Sequence, residues 1–591
     1  MSHLNNIDYT VIAFYVIVLI SLGLFLRKMA SASLEDYFLG GKRLPWWALG
    51  ISRTASFLDI TGTMIITSFL FMLGPRGLFI EFRGGAALVL PFLMAFMGKW
   101  HRRSNCMTGA EWNVYRFGAG IGGQAARVIA SFTITMMVIG MQAYMVTGVG
   151  IFLSTFLPLS PNWCAILLLS CAAIYTMASG FYGVVYTDLF QSLIILTAVI
   201  AMAVMATLQI NSYDGSLGEL AQSVTGNARW ISSVPHLQVN MPPGYKDYEP
   251  LFMLALFYLM RNIIGGIGAG ADPKFFGARN ERECGKLSFV WTAVMMIRWP
   301  LMMSFAVLGL FMVHKIFPDQ QVLADSAEVV REHLGEIPET QWDDTLAGVI
   351  NNPDQHPQLV SELKNIVGPK NWKIKLKLVS YHSTVNPERI LPAVLLLMVH
   401  PGFRGLIIVA LIAASMSTFD SFVNMATGFF TRDIYQAFLR PKAKNRELIF
   451  ASWGFIIFLV CCGFGLAQTS KNINDIWDWL MMGLTAGFLL PNMFKFLWWR
   501  FNAGSTPGRA RCRCTCPAAA VGRWPRSSWR RWDGWPCAWR HRIGLRPCTG
   551  LSGAGPSCSR GSRRPAGPSP GRPAPPCPAW PSPTRRAPPR R

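Results

Sequence analysis

The sequence predicts an all-α protein that crosses a membrane many times, and three observations carry that prediction. Of the 591 residues 51% are hydrophobic and only 15% charged, with 28 Met, 38 Phe and 21 Trp in the apolar set. So few charges cannot give that much apolar surface a water-facing coat, which excludes a soluble globular protein. From residue 9 onward, apolar stretches of about 20 residues, the length that crosses a bilayer, alternate with short polar links. Lys and Arg gather in every second link.

Eleven spans follow in order: 9–27, 46–74, 84–100, 126–153, 162–179, 188–209, 249–270, 288–316, 402–431, 448–468 and 474–499. The first lacks a basic leader and a small-residue cleavage site, so it is read as a helix and not a cleaved signal. The cation-rich links hold Arg27, Lys28, Lys42 and Arg43; Lys99, Arg102 and Arg103; Lys274, Arg279, Arg282 and Lys286; and the run from Arg432 to Arg446. By the positive-inside rule these links are cytoplasmic, the N-terminus is outside and residue 500 inside, in the plasma (inner) membrane of the cell. The organisation is then an N-terminal helix and link (1–45), a first five-helix set (46–209), and a second (249–499) interrupted by an external insertion at 317–389. That insertion contains eleven acids against seven Lys plus Arg, and stretches such as DSAEVVREHL read as short amphipathic helices. It suits a cap or vestibule, or an inert solvated insertion.

The formal charge of +24 is concentrated in residues 501–591, whose 18 Arg and single acid, Asp533, give +17. This low-complexity stretch has no apolar period to build a core. Arginine with interleaved Trp would suit a nucleic-acid or anionic-lipid arm, and Cys512, Cys514 and Cys516 would suit zinc only with a second ligand pair that is missing. The composition is also what a GC-rich gene spells in a shifted frame, the reading adopted, so nucleic acid is not an expected partner. Cys106, Cys164, Cys171, Cys284, Cys461 and Cys462 read as small core hydrophobes. No nucleotide-binding, HExxH or GxSxG motif is present, so enzymatic chemistry has no evident home.

Polar groups inside membrane spans mark function. In the second span, GISRTASFLDITGTMIITSF places Arg53, Ser56, Asp59, Thr61, Gly62 and Thr63 near the midplane and predicts an unwound segment lining a polar cavity. In the seventh, RNIIGGIGAGADPKF brings Gly265, Gly266, Gly268, Gly270 and Pro273. These interruptions open the two five-helix sets, the pattern of a transporter with inverted repeats and a midplane site; glycines that merely permit close helix contact are the alternative. In the ninth span, ALIAASMSTFDS sets Ala414, Ser417, Thr418 and Ser421 at helical spacings, with Asp420 beside them. Hydroxyls and freed carbonyls there suit a hard monovalent cation such as sodium, or simply glue two helices together.

DYFLGGKRLPWWALG, GFYGVVYTDLFQS and HPGFRGLIIVALIAASMSTFDS followed by FTRDIYQ, spanning about residues 36–436, resemble the sodium/solute symporter family. The resemblance implies a leucine-transporter-type inverted repeat of 5+5 helices with one extra N-terminal helix, and sodium-coupled symport of a small organic solute. It implies a main sodium site at the carbonyls of Ala55, Leu58 and Ala414 and the hydroxyls of Ser417 and Thr418. A second cation position, found in some relatives, falls on Asp188, Ser417, Asp420 and Ser421, where Asp420 replaces a hydroxyl. Asp188 could instead cap a helix at its cytoplasmic end or pair with a loop cation. Solute-lining candidates are Arg53, Asp59, Thr61, Gly62, Gly268 and Arg298, and the glycine run 265–270 argues against a sugar. Arg53, Arg261 and Arg298 are expected to pair with Asp59 and Asp272, unless one of them binds a solute carboxylate. Two rival readings are a symporter-like sensor, which needs a folded module after residue 500, and a transport-defective product whose later helices are replaced by the tail.

Overall fold

The computed structural model describes residues 4–502 except 31–32, 82–85, 158, 243–244, 269–271 and 470–484. The basic tail, with its cysteine cluster, lies outside the described residues. Seven helical stretches among the described residues are long and apolar enough to cross a membrane. They leave large apolar side chains such as Phe14, Leu193 and Phe450 exposed by more than 60%, as a lipid-facing surface allows and a wet one does not.

Helix α1 (Asn6–Ala30) is held at its start by Asp8, which is fully buried and accepts from Arg404 Nη2 at 2.8 Å and from the backbone of Gly402 and Gly405. The second span is broken as expected: α2 (Trp46–Ala55) ends and α3 (Ile60–Leu73) begins after four residues. Asp59 caps α3 by accepting from Gly62 N, which satisfies a donor the helix start leaves orphaned. Every residue of α3 is buried, so this half-helix runs through the core.

After α4 (Ala86–Arg103) and α5 (Ile121–Ser154), the fifth and sixth spans are two helices that meet at a kink with a single non-helical residue, Gly180, and are labelled together α6 (Pro161–Asn211). The expected link 181–187 is therefore helix. Gly180 has φ +52° and ψ −149°, and a Cβ there would sit 2.8 Å from the Tyr37 carbonyl oxygen. Gly180→Ala is expected to cost about 1–3 kcal/mol through backbone strain alone, read as a lower melting temperature of the purified protein.

The seventh span, α7 (Leu251–Gly268), stays helical through Gly265 and Gly266, and a short helix α8 (Pro273–Phe276) follows. Gly265, Gly266 and Gly268 are thus helical, and the remainder of the glycine run lies outside the described residues. The eighth span divides into α9 (Glu281–Met295) and α10 (Arg298–Ile316), and α9 starts seven residues before the expected 288. Its charged first turn lowers the average hydropathy, yet Cys284, Leu287, Ser288, Trp291 and Met295 form one buried stripe at helical spacing. The insertion folds as short helices at Gln321–Leu334, Trp342–Asn351, Pro357–Val367 and Trp372–Lys377, tied together by contacts such as Trp342 Nε1 donating to Val379 O at 3.1 Å. The ninth span, α11 (Phe403–Phe429), continues into a wider π-helical stretch, Phe430–Leu439. Then come α12 (Asn445–Ala467) and α13 (Thr485–Leu497). Among the cysteines, Cys461 is exposed and Cys171 and Cys462 only partly buried, so core filling describes Cys106, Cys164 and Cys284 alone.

Candidate functional site

The break between α2 and α3 lies against the middle of α11, and the contacts there use the predicted oxygens. Thr418 donates from Oγ1 to Leu58 O at 2.7 Å and to Ala414 O at 3.1 Å. Ser415 Oγ accepts from Ile60 N at 3.0 Å, holding the first turn of α3 to the same helix. Ala55 O accepts from Leu58 N at 3.1 Å, a single turn at the break that replaces the missing helical bonds. The carbonyls of Ala55 and Leu58 at the break, with the Ala414 carbonyl and the hydroxyls of the continuous α11, provide neutral oxygen ligands without the repulsion a cluster of carboxylates would bring.

The second predicted cation set divides. Asp188 is fully buried in the interior of α6 and accepts short hydrogen bonds from Ser417 Oγ on one oxygen and Ser52 Oγ on the other. It is therefore not a helix cap, and its cation partner is one of the residues counted in the sequence as a link cation. Ser421 Oγ lies 2.7 Å from Ser56 Oγ across the break. Asp420 faces elsewhere: Tyr175 OH donates to its Oδ2 at 2.8 Å, and its Oδ1 has no hydrogen-bond partner. The Asp420 carboxylate is thus engaged by Tyr175 of α6.

Between Asp188 and Ser421 stands a residue counted in the sequence as a link cation. Lys274, 2% exposed, donates from Nζ to Ser52 O at 3.0 Å, to Ser421 Oγ at 3.0 Å and to Ser56 Oγ. Asp188 Oδ2 is 3.8 Å from the same nitrogen. The missed signal is Asp-Pro-Lys: Asp272 as cap and Pro273 in the first turn start a helix, so Lys274 is carried inward on α8 and not left in a solvated link. Asp272 accepts from Lys274 N at 2.8 Å with one oxygen and is ion-paired with Arg53 through the other. The Arg53 guanidinium also lies 4.4 Å from the Phe57 ring centre and 4.8 Å from that of Trp291, so the expected Arg53–Asp272 pairing is present. Asp59 instead caps α3, with Tyr144 OH donating to it at 3.3 Å.

The remaining solute-lining candidates are dispersed. Thr61 is buried against Gly148 of α5, where a Cβ would fall 1.8 Å from Thr61 Oγ1. Gly62 serves the Asp59 cap, Gly268 ends α7, and Arg298 is buried in the first turn of α10. Arg261, partly buried, has its guanidinium 5.8 Å from the Tyr258 ring centre. Gly148→Ala is expected to push α5 off α3 and lower stability by about 1–3 kcal/mol, measured by thermal unfolding, with Gly148→Ser worse. The FTRDIYQ segment has its own role: Asp433 accepts from Arg127 Nε at 2.6 Å and Thr108 Oγ1 at 2.5 Å, and Arg432 pairs with Glu111 at 2.9 Å.

A family model described as the sodium:solute symporter family matches residues 37–327 and 367–506. The sodium/glucose cotransporter of Vibrio parahaemolyticus is 23% identical over 510 residues, covering 83% of this chain and 81% of that protein. The sodium/sialic acid symporter NanT of Aliivibrio fischeri is 24% identical over 505 residues, covering 82% and 81%. Among solved structures, the substrate-bound, outward-open state of a Na+-coupled sialic acid symporter matches with a TM-score of 0.59 at 19% identity, over 85% of this chain and 88% of that one. At that identity the likeness is one of fold.

Proposed function

The chain belongs to the sodium/solute symporter family, and from that premise we propose that it carries a small organic solute into the cell by alternating access, driven by sodium. The family is one of transporters and not enzymes, and sodium is its coupling ion. The observation that supports this reading most directly is the Thr418 hydroxyl bridging Leu58 O and Ala414 O where the broken helix meets α11. Sodium entering there would take the carbonyls of Ala55, Leu58 and Ala414 with the hydroxyls of Ser417 and Thr418, freeing Thr418 from donating to both carbonyls. An ion bound to both elements favours whichever state holds them together, and so shifts the population toward the solute-ready form. The membrane field adds about 2.3 kcal/mol per charge per 100 mV.

The same reading places the N-terminus outside, in the plasma membrane, and takes 46–209 and 249–499 as the two inverted repeats. In this reading the solute binds near the α2–α3 break, beside Asp59, Thr61 and Gly62, with Gly268 and Arg298 as candidates on α7 and α10. Arg298, buried in the first turn of α10, is the arginine this reading assigns to a solute carboxylate. Arg298→Gln is expected to cut uptake of labelled monocarboxylates or amino acids more than tenfold while sparing neutral sugars; equal loss for both classes would remove the carboxylate assignment. The function itself is tested in proteoliposomes with labelled sugars, amino acids and monocarboxylates, comparing an inward sodium gradient with choline. Accumulation only with sodium, collapsing when the gradient is dissipated, is expected. Uptake indifferent to sodium for every transported solute would overturn the proposal.

A further inference from the structure

We propose that Lys274 is a tethered cation that permanently fills the second cation position, so that each transport cycle binds one sodium and not two. The inference rests on the main sodium site proposed above and sets its stoichiometry. The resemblance implied that Asp188, Ser417, Asp420 and Ser421 hold a mobile ion. The lysine ammonium lies against Asp188 and Ser421, two members of that set. Its three N–H donors meet three oxygens, Ser52 O, Ser56 Oγ and Ser421 Oγ, so no donor is left over. An ammonium and a sodium ion make the same demand of a site: one positive charge, surrounded by oxygens. Here the chain supplies that charge itself.

The charges around Lys274 give the same answer. Around it stand Asp188 of α6, Asp272 of its own segment and Arg53 of α2, while Asp420 of α11 is engaged by Tyr175. Asp188 and Asp272 against Lys274 and Arg53 are two carboxylates and two cations, so the cluster is balanced by the chain's own charges. A sodium added to this cluster would leave a net positive charge in a low-dielectric interior, where unpaired charge is costly. Asp59, on the other side of the break, is offset by the positive end of α3 that it caps. The anchoring also resists displacement: Lys274 is fixed by the Asp272 cap through its own backbone N–H, and Asp272 is pinned by Arg53.

Equilibrium binding of radioactive sodium to the purified full chain in nanodiscs tests this. Wild type is expected to bind one sodium, Lys274→Arg one, and Lys274→Met two. Adding Asp188→Asn to Lys274→Met should return the count to one. Sodium should also raise the melting temperature of Lys274→Met more steeply than that of wild type, since an ion now supplies the missing charge. Wild type binding two sodium ions, or Lys274→Met still binding one, would overturn the proposal. So would a Lys274→Met protein that cannot be obtained folded even in sodium-rich buffer, because sodium would then be unable to replace the ammonium. A failed main site gives a different result: wild type binds none while Lys274→Met binds one, or Ser417→Ala/Thr418→Ala keeps the wild-type sodium.

Discussion

Replacing Asp188 with alanine is expected to abolish sodium-driven uptake and to lower stability by about 3–5 kcal/mol, the usual cost of leaving one member of a buried ion pair alone. The loss is large because one carboxylate serves three elements. It receives Ser52 of α2 and Ser417 of α11, and it is the acidic partner of Lys274 on α8. Its removal strands an ammonium and two hydroxyl donors in the membrane interior. Asp188→Asn keeps hydrogen-bonding oxygen and shape but not charge, so it should fold better than the alanine variant and still fail to transport. Melting curves in nanodiscs and sodium-gradient uptake measure the two effects separately. An alanine variant with wild-type melting and uptake would remove Asp188 from the site.

The second large effect is expected from Ser417→Ala with Thr418→Ala. Each hydroxyl removed as a sodium ligand should weaken sodium by about tenfold, or 1.4 kcal/mol, and the pair by about a hundredfold. The protein should still fold: Thr418 binds only backbone carbonyls, and Asp188 retains the Ser52 hydroxyl after Ser417 is lost. The readout is the sodium concentration for half-maximal uptake, which should move out of the measurable range in the double variant. An unchanged sodium dependence would show that the ion binds elsewhere.

The parts of this site that were legible in the sequence share a cause. The spacing of Ala414, Ser417, Thr418 and Ser421 survives folding because a helix of this length keeps its period whatever surrounds it. Ser, Asp and Gly near residue 59 compete with a helix backbone locally, so the α2–α3 break was equally legible. Asp188 was harder to place, because GFYGVVYTD reads as a polar link until Gly180 alone makes the turn and the helix begins at once. Lys274 was not legible at all. Counting link cations treats every Lys and Arg between spans as facing water, yet a four-residue helix starting at Pro273 turns this one inward. The partner of Asp420, Tyr175, lies on another helix, which spacing along α11 cannot reveal.

Gly180 also has a mechanical consequence. The half of α6 before it carries Tyr175, which grips Asp420, and the half after it carries Asp188, which grips Ser417. With a single non-helical residue between them, the two sides of one bend hold α11 at positions three residues apart, and a substitution that altered the bend at Gly180 would disturb both contacts.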